Sequence, residues 1–178
     1  MSEQIIEIDV EVADPSWTDA LPDAIALAER AAVAAIRNLP LSDIATRERG
    51  ANHIVAGCTA DIVWHLPTVR IAIALMDDDT VAGLNQQFRG KAGATNVLSF
   101  DAGFNFECIL GDIALAYGVC AREAAQQGKT LEAHLQHLVA HGVLHLVGYD
   151  HQTDDEAEDM EELERAIMAG LGHPDPYR

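Results

Sequence analysis

The residues His141–His151 read HGVLHLVGYDH and carry three histidines. His141 and His145 are four apart, so on a helix their rings project from one face about one turn apart. That spacing lets two imidazoles reach a single ion at about 2.0–2.1 Å. Gly148 breaks the helix, because glycine readily takes the left-handed conformation that turns a chain back on itself. The turn brings His151 round to the face that His141 and His145 share. Three neutral nitrogens with a fourth position left open describe a catalytic zinc site. A structural zinc site would need a fourth protein ligand, and no cysteine is close in sequence.

Two further histidines, His134 and His137, lie on the same helix, and the chain has 8 in all. All four helical histidines fall on one side of a helical wheel, away from Leu135, Val139 and Leu146. A solvated polar face would look similar, and His134 and His137 are assigned to such a face. His134 lies seven residues before His141, about 10 Å along the axis, and cannot share an ion with His145. Asp150 has two readings: a carboxylate that orients an imidazole, or a turn former. The string also has the spacing of the metzincin proteases, H-E-x-x-H-x-x-G-x-x-H, with Gly142 in the place of the glutamate. That glutamate is the general base of peptide hydrolysis, so the protease mechanism lacks its proton acceptor here.

A second cluster, RGKAGAT (Arg89–Thr95), supplies cations. Arg89 can place a planar fork on a phosphate, and Lys91 adds a point charge beside it. The alternative for Arg89 is a helix C-terminal cation paired with carbonyls. Phosphodiester cleavage develops negative charge on non-bridging oxygens. A metal ion can polarise one of them or lower the pKa of water to about 7. The missing glutamate therefore matters less for a phosphodiester than for an amide. Thr95, Asn96 and Ser99 either line a cleft beside the histidine helix or belong to an ordinary edge strand. Asp112 stands in an apolar strand, where a lone carboxylate needs a partner, such as Arg89 or a backbone turn.

These residues need elements to hold them. Ile5–Val12 alternates apolar and acidic residues, as a half-buried strand does, and Pro15 ends it. Alanine-rich Leu21–Leu39 has helical spacing, with Pro40 as its stop. Leu41–Pro67 is the least readable stretch, with a loop at Thr46–Asn52 and a weak strand signal near Ile62–Leu66. Val69–Met76 is a strong strand pattern. Asp77–Asp79 can cap a helix at Thr80–Phe88. Short strands follow at Asn96–Phe100 and Ile109–Ala116. A helix over Tyr117–Gln127 closes on Gly128. Thr130 caps the histidine helix, Leu131–Leu146, and a charged amphipathic helix covers Asp154–Gly170. Strands mixed with helices in this order predict an α+β fold, a mixed sheet in a single domain over 1–178.

Composition narrows the class. A chain of 178 residues that is 49% hydrophobic can bury one ordinary core and is not a disordered chain. Its apolar stretches fall short of the ~20 residues of a membrane span. Met1–Asp9 lacks a basic segment followed by an apolar one. The expectation is a cytoplasmic protein. Cys58, Cys108 and Cys120 form no CxxC pair and read as small buried hydrophobes in a reducing compartment. Lys and Arg total 11 against 29 Asp and Glu, for a net charge of −18. Such a chain repels nucleic acid at long range, so action on a polyanion needs a local cation or a basic partner. Nine carboxylates lie between Asp150 and Glu164. They read as a solvated face, with a surface that docks a basic protein or repels the wrong polyanion as the sharper alternative.

HGVLHLVGYDH, together with FRGK (Phe88–Lys91), TNVLSF (Thr95–Phe100), LGDI (Leu110–Ile113), DDEAEDME (Asp154–Glu161) and DPY (Asp175–Tyr177), resembles the YbeY family of bacterial endoribonucleases. Ala92 and Ala94 stand where that family often has an aspartate and a proline. The resemblance implies a zincin-like fold and a single-strand-specific, metal-dependent endoribonuclease. It implies one zinc ion on His141, His145 and His151, with Arg89 as the functionally important arginine of the FRGK segment. Arg89 and His141 are the candidate catalytic residues, Arg89 and Lys91 the candidate substrate contacts. The implied task is maturation of the small-subunit ribosomal RNA 3′ end and ribosome quality control. The implied partners are single-stranded rRNA and the small ribosomal subunit, with its proteins or an assembly GTPase, and neither DNA nor membrane. Two other classes fit parts of the pattern: a zincin-like metallopeptidase or other zinc hydrolase, and a non-catalytic, metal-stabilised ribosome assembly factor.

Overall fold

Apolar and acidic residues alternate along strand β1 (Ile5–Val12), which leaves Glu7, Asp9 and Glu11 exposed and Ile6, Ile8 and Val10 turned inward. The computed structural model describes residues 4–40, 63, 66–103 and 109–178. The loop expected at Thr46–Asn52, most of the weak strand signal at 62–66, and Cys58 and Cys108 lie outside them. β1 pairs in parallel with β2 (Thr68–Met76), Ile8 opposite Ile71. β2 pairs in parallel with β4 (Ile109–Ala116), Ile73 opposite Ile113. β3 (Val97–Asp101) runs antiparallel to β4, Ser99 opposite Ile113, and forms the edge of the order β1-β2-β4-β3. The sheet is mixed, as the sequence predicts.

Six helices accompany it among the described residues: α1 (Ser16–Ala20), α2 (Ala24–Arg37), α3 (Asp78–Arg89), α4 (Tyr117–Gln126), α5 (Leu131–Leu146) and α6 (Asp154–Gly170). The helix expected over Leu21–Leu39 is α2, which begins later, at Ala24, and the short α1 lies before its expected start. Pro15 begins the short α1, and Leu21 leaves it in an extended conformation. Pro22 accounts for the break, since a residue before proline is pushed out of the helical region. The expected helix starts at Asp77–Asp79 and Thr130 are present. The Asp77 carboxylate accepts from the Thr80 N–H at 2.7 Å, and the Thr130 hydroxyl accepts from the Ala133 N–H at 3.1 Å.

The larger core lies on one face of the sheet. Val69, Ile71, Ile73 and Leu75 of β2 meet Leu135, Val139 and Val143 of α5 and the alanines of α2. Short side chains at Ala28, Ala31, Ala32 and Ala35 let α2 lie close to α5. A smaller cluster on the other face joins Val81 of α3 to Leu98, Ala114 and Ala116. Cys120 is wholly buried, as expected, and burial pushes its thiol pKa up to about 12. Gly111 has φ +149°, and a Cβ there would collide with the Phe100 carbonyl oxygen. That contact explains the glycine of LGDI: β3 and β4 cannot approach so closely with a side chain between them. No helix among the described residues is long and apolar enough to cross a membrane.

Candidate metal centre

α5 carries the first two histidines of the string for the reason their spacing implies. It is helical through Leu146, and Gly148 (φ +91°) then reverses the chain. The Gly148 N–H donates to the His145 carbonyl and the Tyr149 N–H to the Leu144 carbonyl, each at 3.0 Å. The returning chain delivers His151. Ring centroids lie 4.5 Å apart for His141 and His145, 5.6 Å for His141 and His151, and 5.1 Å for His145 and His151. One ring nitrogen from each of the three lies within 4.8 Å of the others, the one such group among the described residues.

The donor chemistry tests whether an ion fits. His145 Nδ1 is 2.9 Å from the Tyr149 carbonyl oxygen, which can only accept. His141 Nδ1 is 2.7 Å from Glu164 Oε1. Burial would raise the Glu164 pKa, but hydrogen bonds from His137 and His141 and their charge outweigh it and hold it at about 2. Glu164 is therefore an acceptor. With both Nδ1 atoms donating, an Nε2 that carries no proton offers a lone pair, and the two Nε2 atoms face each other at 3.0 Å. Two such nitrogens have no proton to share. A cation between them satisfies both, and two ligands of one tetrahedral zinc ion stand about 3.3 Å apart. Burial, then the charges of His141 and His151, lower the His145 pKa to about 4, so that ring is neutral at physiological pH. The three histidines fit a metal.

Glu164 is the residue that sequence reasoning missed. The sequence places it in the acidic run of α6, yet it is 0% exposed. Most of that run is solvated, as expected: Asp154, Asp155, Glu156, Glu158, Asp159 and Glu162 are exposed. The available signal is spacing. Met160, Glu164, Ile167 and Met168 are the buried residues of α6 and follow an i, i+4, i+7, i+8 stripe. A carboxylate on an apolar stripe needs a partner.

The assignment of His134 and His137 to a solvated face is corrected. His134 is 3% exposed, and its Nε2 lies 2.9 Å from Glu123 Oε2. His137 Nε2 lies 3.3 Å from Glu164 Oε2. The polar side of α5 meets α4 and α6 instead of water, so its histidines find carboxylates there.

Asp150 takes the turn-forming role. Its Oδ1 accepts from the His151 N–H at 2.8 Å and its Oδ2 from the Gln152 amide at 2.6 Å. The carboxylate that touches a clustered imidazole is Glu164 instead. Arg89 ends α3, where Gly90 (φ +65°) closes the helix. Its guanidinium does not fold back onto its own helix; Nη2 donates to the Ser99 carbonyl across on β3 at 3.0 Å. Lys91 is exposed in the following loop, which Asn85 pins by donating to the Gly93 carbonyl at 2.8 Å.

Of the neighbouring polar residues, Ser99 reaches the histidine helix: its hydroxyl donates to the Gly142 carbonyl at 3.3 Å. Asn96 serves the strand start and the Glu123 carboxylate, at 2.7 and 2.9 Å. The Thr95 hydroxyl donates to Asn96 Oδ1 at 3.4 Å. Asp112 is exposed on β4, so its carboxylate is not the lone buried charge the sequence reading allowed for. Gly142 backs onto the sheet. A Cβ there would sit 3.0 Å and 3.1 Å from Ile113 carbons and 3.2 Å from Ser99 Oγ. The glutamate of the protease pattern would have to pass through that contact.

Comparison with known proteins gives one family. The family model described as Endoribonuclease YbeY matches residues 42–172. A protein of that name from Paramagnetospirillum magneticum is 44% identical over 97% of this chain and 96% of its own length. Another from Rhizorhabdus wittichii is 43% identical over 97% of each chain. A third, from Maricaulis maris, is 51% identical over 76% of this chain and 84% of its own. A solution structure from Thermotoga maritima matches with TM-score 0.49 and 21% identity, over 98% of this chain and 99% of that one.

Proposed function

This chain belongs to the endoribonuclease YbeY family, and from that premise we propose that it cleaves single-stranded ribosomal RNA with one zinc ion held by His141, His145 and His151. The observation that carries the metal reading is the convergence of the His141 and His145 Nε2 atoms, 3.0 Å apart, with a ring nitrogen of His151 within 4.8 Å of the other two residues' ligand atoms. A zinc ion bound there supplies Lewis-acid polarisation of a phosphate oxygen and an acidified water.

The chain's own residues do the rest. Glu164 and the Tyr149 carbonyl hold the two helical rings by their Nδ1 atoms, which presents each Nε2 as a ligand. The Ser99 carbonyl fixes the Arg89 guanidinium, whose other donors lie in one plane and suit a phosphodiester. Lys91 adds positive charge to the same loop. These cations offset, near the reacting phosphate, a net charge of −18 over the whole chain. The acidic remainder favours RNA presented on an assembled particle over free RNA. That supports a task in maturation of the small-subunit rRNA 3′ end and in ribosome quality control, in the cytoplasm. The partners are then the small subunit, with its proteins or an assembly GTPase.

The test is cleavage of a small-subunit 3′-end sequence in three forms: free single strand, duplex, and assembled subunit. The proposal expects weak, salt-sensitive binding of the free strand, cuts confined to unpaired nucleotides, and faster cutting on the subunit. Cleavage of duplex at an equal rate would contradict it.

A further inference from the structure

Glu164 is the one carboxylate among the described residues that is wholly buried. A charge held away from water must be met by donors. Three meet it: His141 Nδ1 at 2.7 Å, His137 Nε2 at 3.3 Å, and the Tyr177 hydroxyl. Only the first belongs to the three-histidine cluster. Tyr177 comes from the C-terminal tail and is 43% exposed, yet its hydroxyl reaches inward to Glu164.

The tail is fastened in several ways. Asp175 Oδ1 accepts from the Tyr177 N–H at 2.9 Å. Asp175 pairs with Arg165 at 3.6 Å and with Arg178 at 3.4 Å. The Arg165 guanidinium carbon sits 5.0 Å from the centre of the Tyr177 ring. The Lys129 ammonium donates to the Pro176 carbonyl. The His137 ring meets the Tyr177 ring edge-on at 5.6 Å. The hydroxyl is thus held in place from both the helix and the tail.

We propose that Glu164 is the positioning residue of the metal centre and that Tyr177, with His137, clamps it, so that the C-terminal turn sets the tautomer of His141 and the affinity of the site. The inference rests on the three-histidine metal reading. Its logic is geometric. Glu164 has two oxygens; His137 and Tyr177 occupy one and leave the other aimed at His141 Nδ1. Without that acceptor the His141 proton is free to sit on Nε2, the atom that faces His145.

Two conservative variants test this. Tyr177→Phe keeps the ring and its packing and removes only the hydroxyl. Glu164→Gln keeps the shape and removes the charge. Zinc affinity is read by chelator competition, the site's geometry by the visible absorption of the cobalt-loaded protein, and the His141 tautomer by nitrogen chemical shifts in the metal-free protein. We expect zinc binding weakened about 10-fold by Tyr177→Phe and up to about 100-fold by Glu164→Gln, the range for groups behind a metal ligand. The cobalt spectrum should shift in both, and His141 should lose its fixed Nδ1–H form. Zinc affinity within twofold of wild type and an unchanged cobalt spectrum in both variants would overturn the proposal, even if thermal stability fell. If wild type bound no metal, the metal reading would fail. The His141 tautomer would then decide by itself: a shift in both variants supports the clamp, and no shift overturns it.

Discussion

Ser99 ties the edge strand to the histidine helix: its hydroxyl donates to the Gly142 carbonyl at 3.3 Å. The same residue's carbonyl accepts from Arg89 at 3.0 Å. One strand residue therefore links the FRGK loop to the helix that bears His141 and His145. The phosphate-binding and metal-binding halves of the proposed site are joined through β3, not through the chain between them.

Arg89→Ala should lower kcat/KM on a single-stranded RNA about 100-fold or more, as loss of a donor to developing charge does, with zinc per chain unchanged. Arg89→Lys should recover only part of this, because an ammonium lacks the planar fork. Steady-state kinetics beside metal analysis checks both. Full activity in Arg89→Ala would remove this residue from the mechanism.

Gly142→Ala should destabilise the fold by roughly 1–3 kcal/mol, the usual cost of overpacking. The added methyl would press on Ile113 at 3.0 Å and Ser99 at 3.2 Å. Gly83→Ala is the control. It lies within α3 with nothing inside 4 Å, and should stabilise by roughly 0.5–1 kcal/mol. Urea denaturation measures both. Gly142→Glu should not create a peptidase on a casein panel, since the side chain has no room where the protease pattern needs it.

His134 gives a pH dependence that stands apart from the metal. Burial lowers its pKa below 6.5, against an opposing hydrogen bond and charge from Glu123. Above pH 6.5 the ring is neutral in both folded and unfolded chains, so His134 adds no slope. As pH falls from 6.5 toward the folded pKa, the unfolded chain takes up a proton that the folded one refuses, and stability falls. Below the folded pKa the slope ends. Comparing urea midpoints with chelator at pH 7.5 and 5.5, wild type should lose more stability than His134→Gln. An NMR titration of His134 with a midpoint at or above 6.5 would contradict this.

Much of this arrangement is readable in the sequence, for local reasons. The histidine helix is legible from Thr130 to Leu146 because a cap, a 3.6-residue period and a terminal glycine agree. β1, β2 and β4 are legible from alternation or from short apolar runs. The start of α2 reads three residues early because its alanine-rich pattern masks the stop that Pro22 forces at Leu21, and the five residues of α1 are too few to show a period. The roles of Glu164, His134 and His137 are set by which helices pack against α5 and α6, and a charge within a run of charges carries no local mark of burial. The dual role of Ser99 likewise depends on β3 lying beside α5, a long-range pairing.

If His141, His145 and His151 hold the metal that cleaves RNA, zinc content and cleavage must fall together. The most direct measurement counts zinc per chain in wild type and in His145→Ala, then maps the ends after each is incubated with a single-stranded rRNA 3′-end fragment and with assembled small subunits. Wild type should hold about one zinc, the variant little or none, and cleavage should disappear with the metal. Equal zinc in both, or undiminished cleavage by His145→Ala, would contradict this.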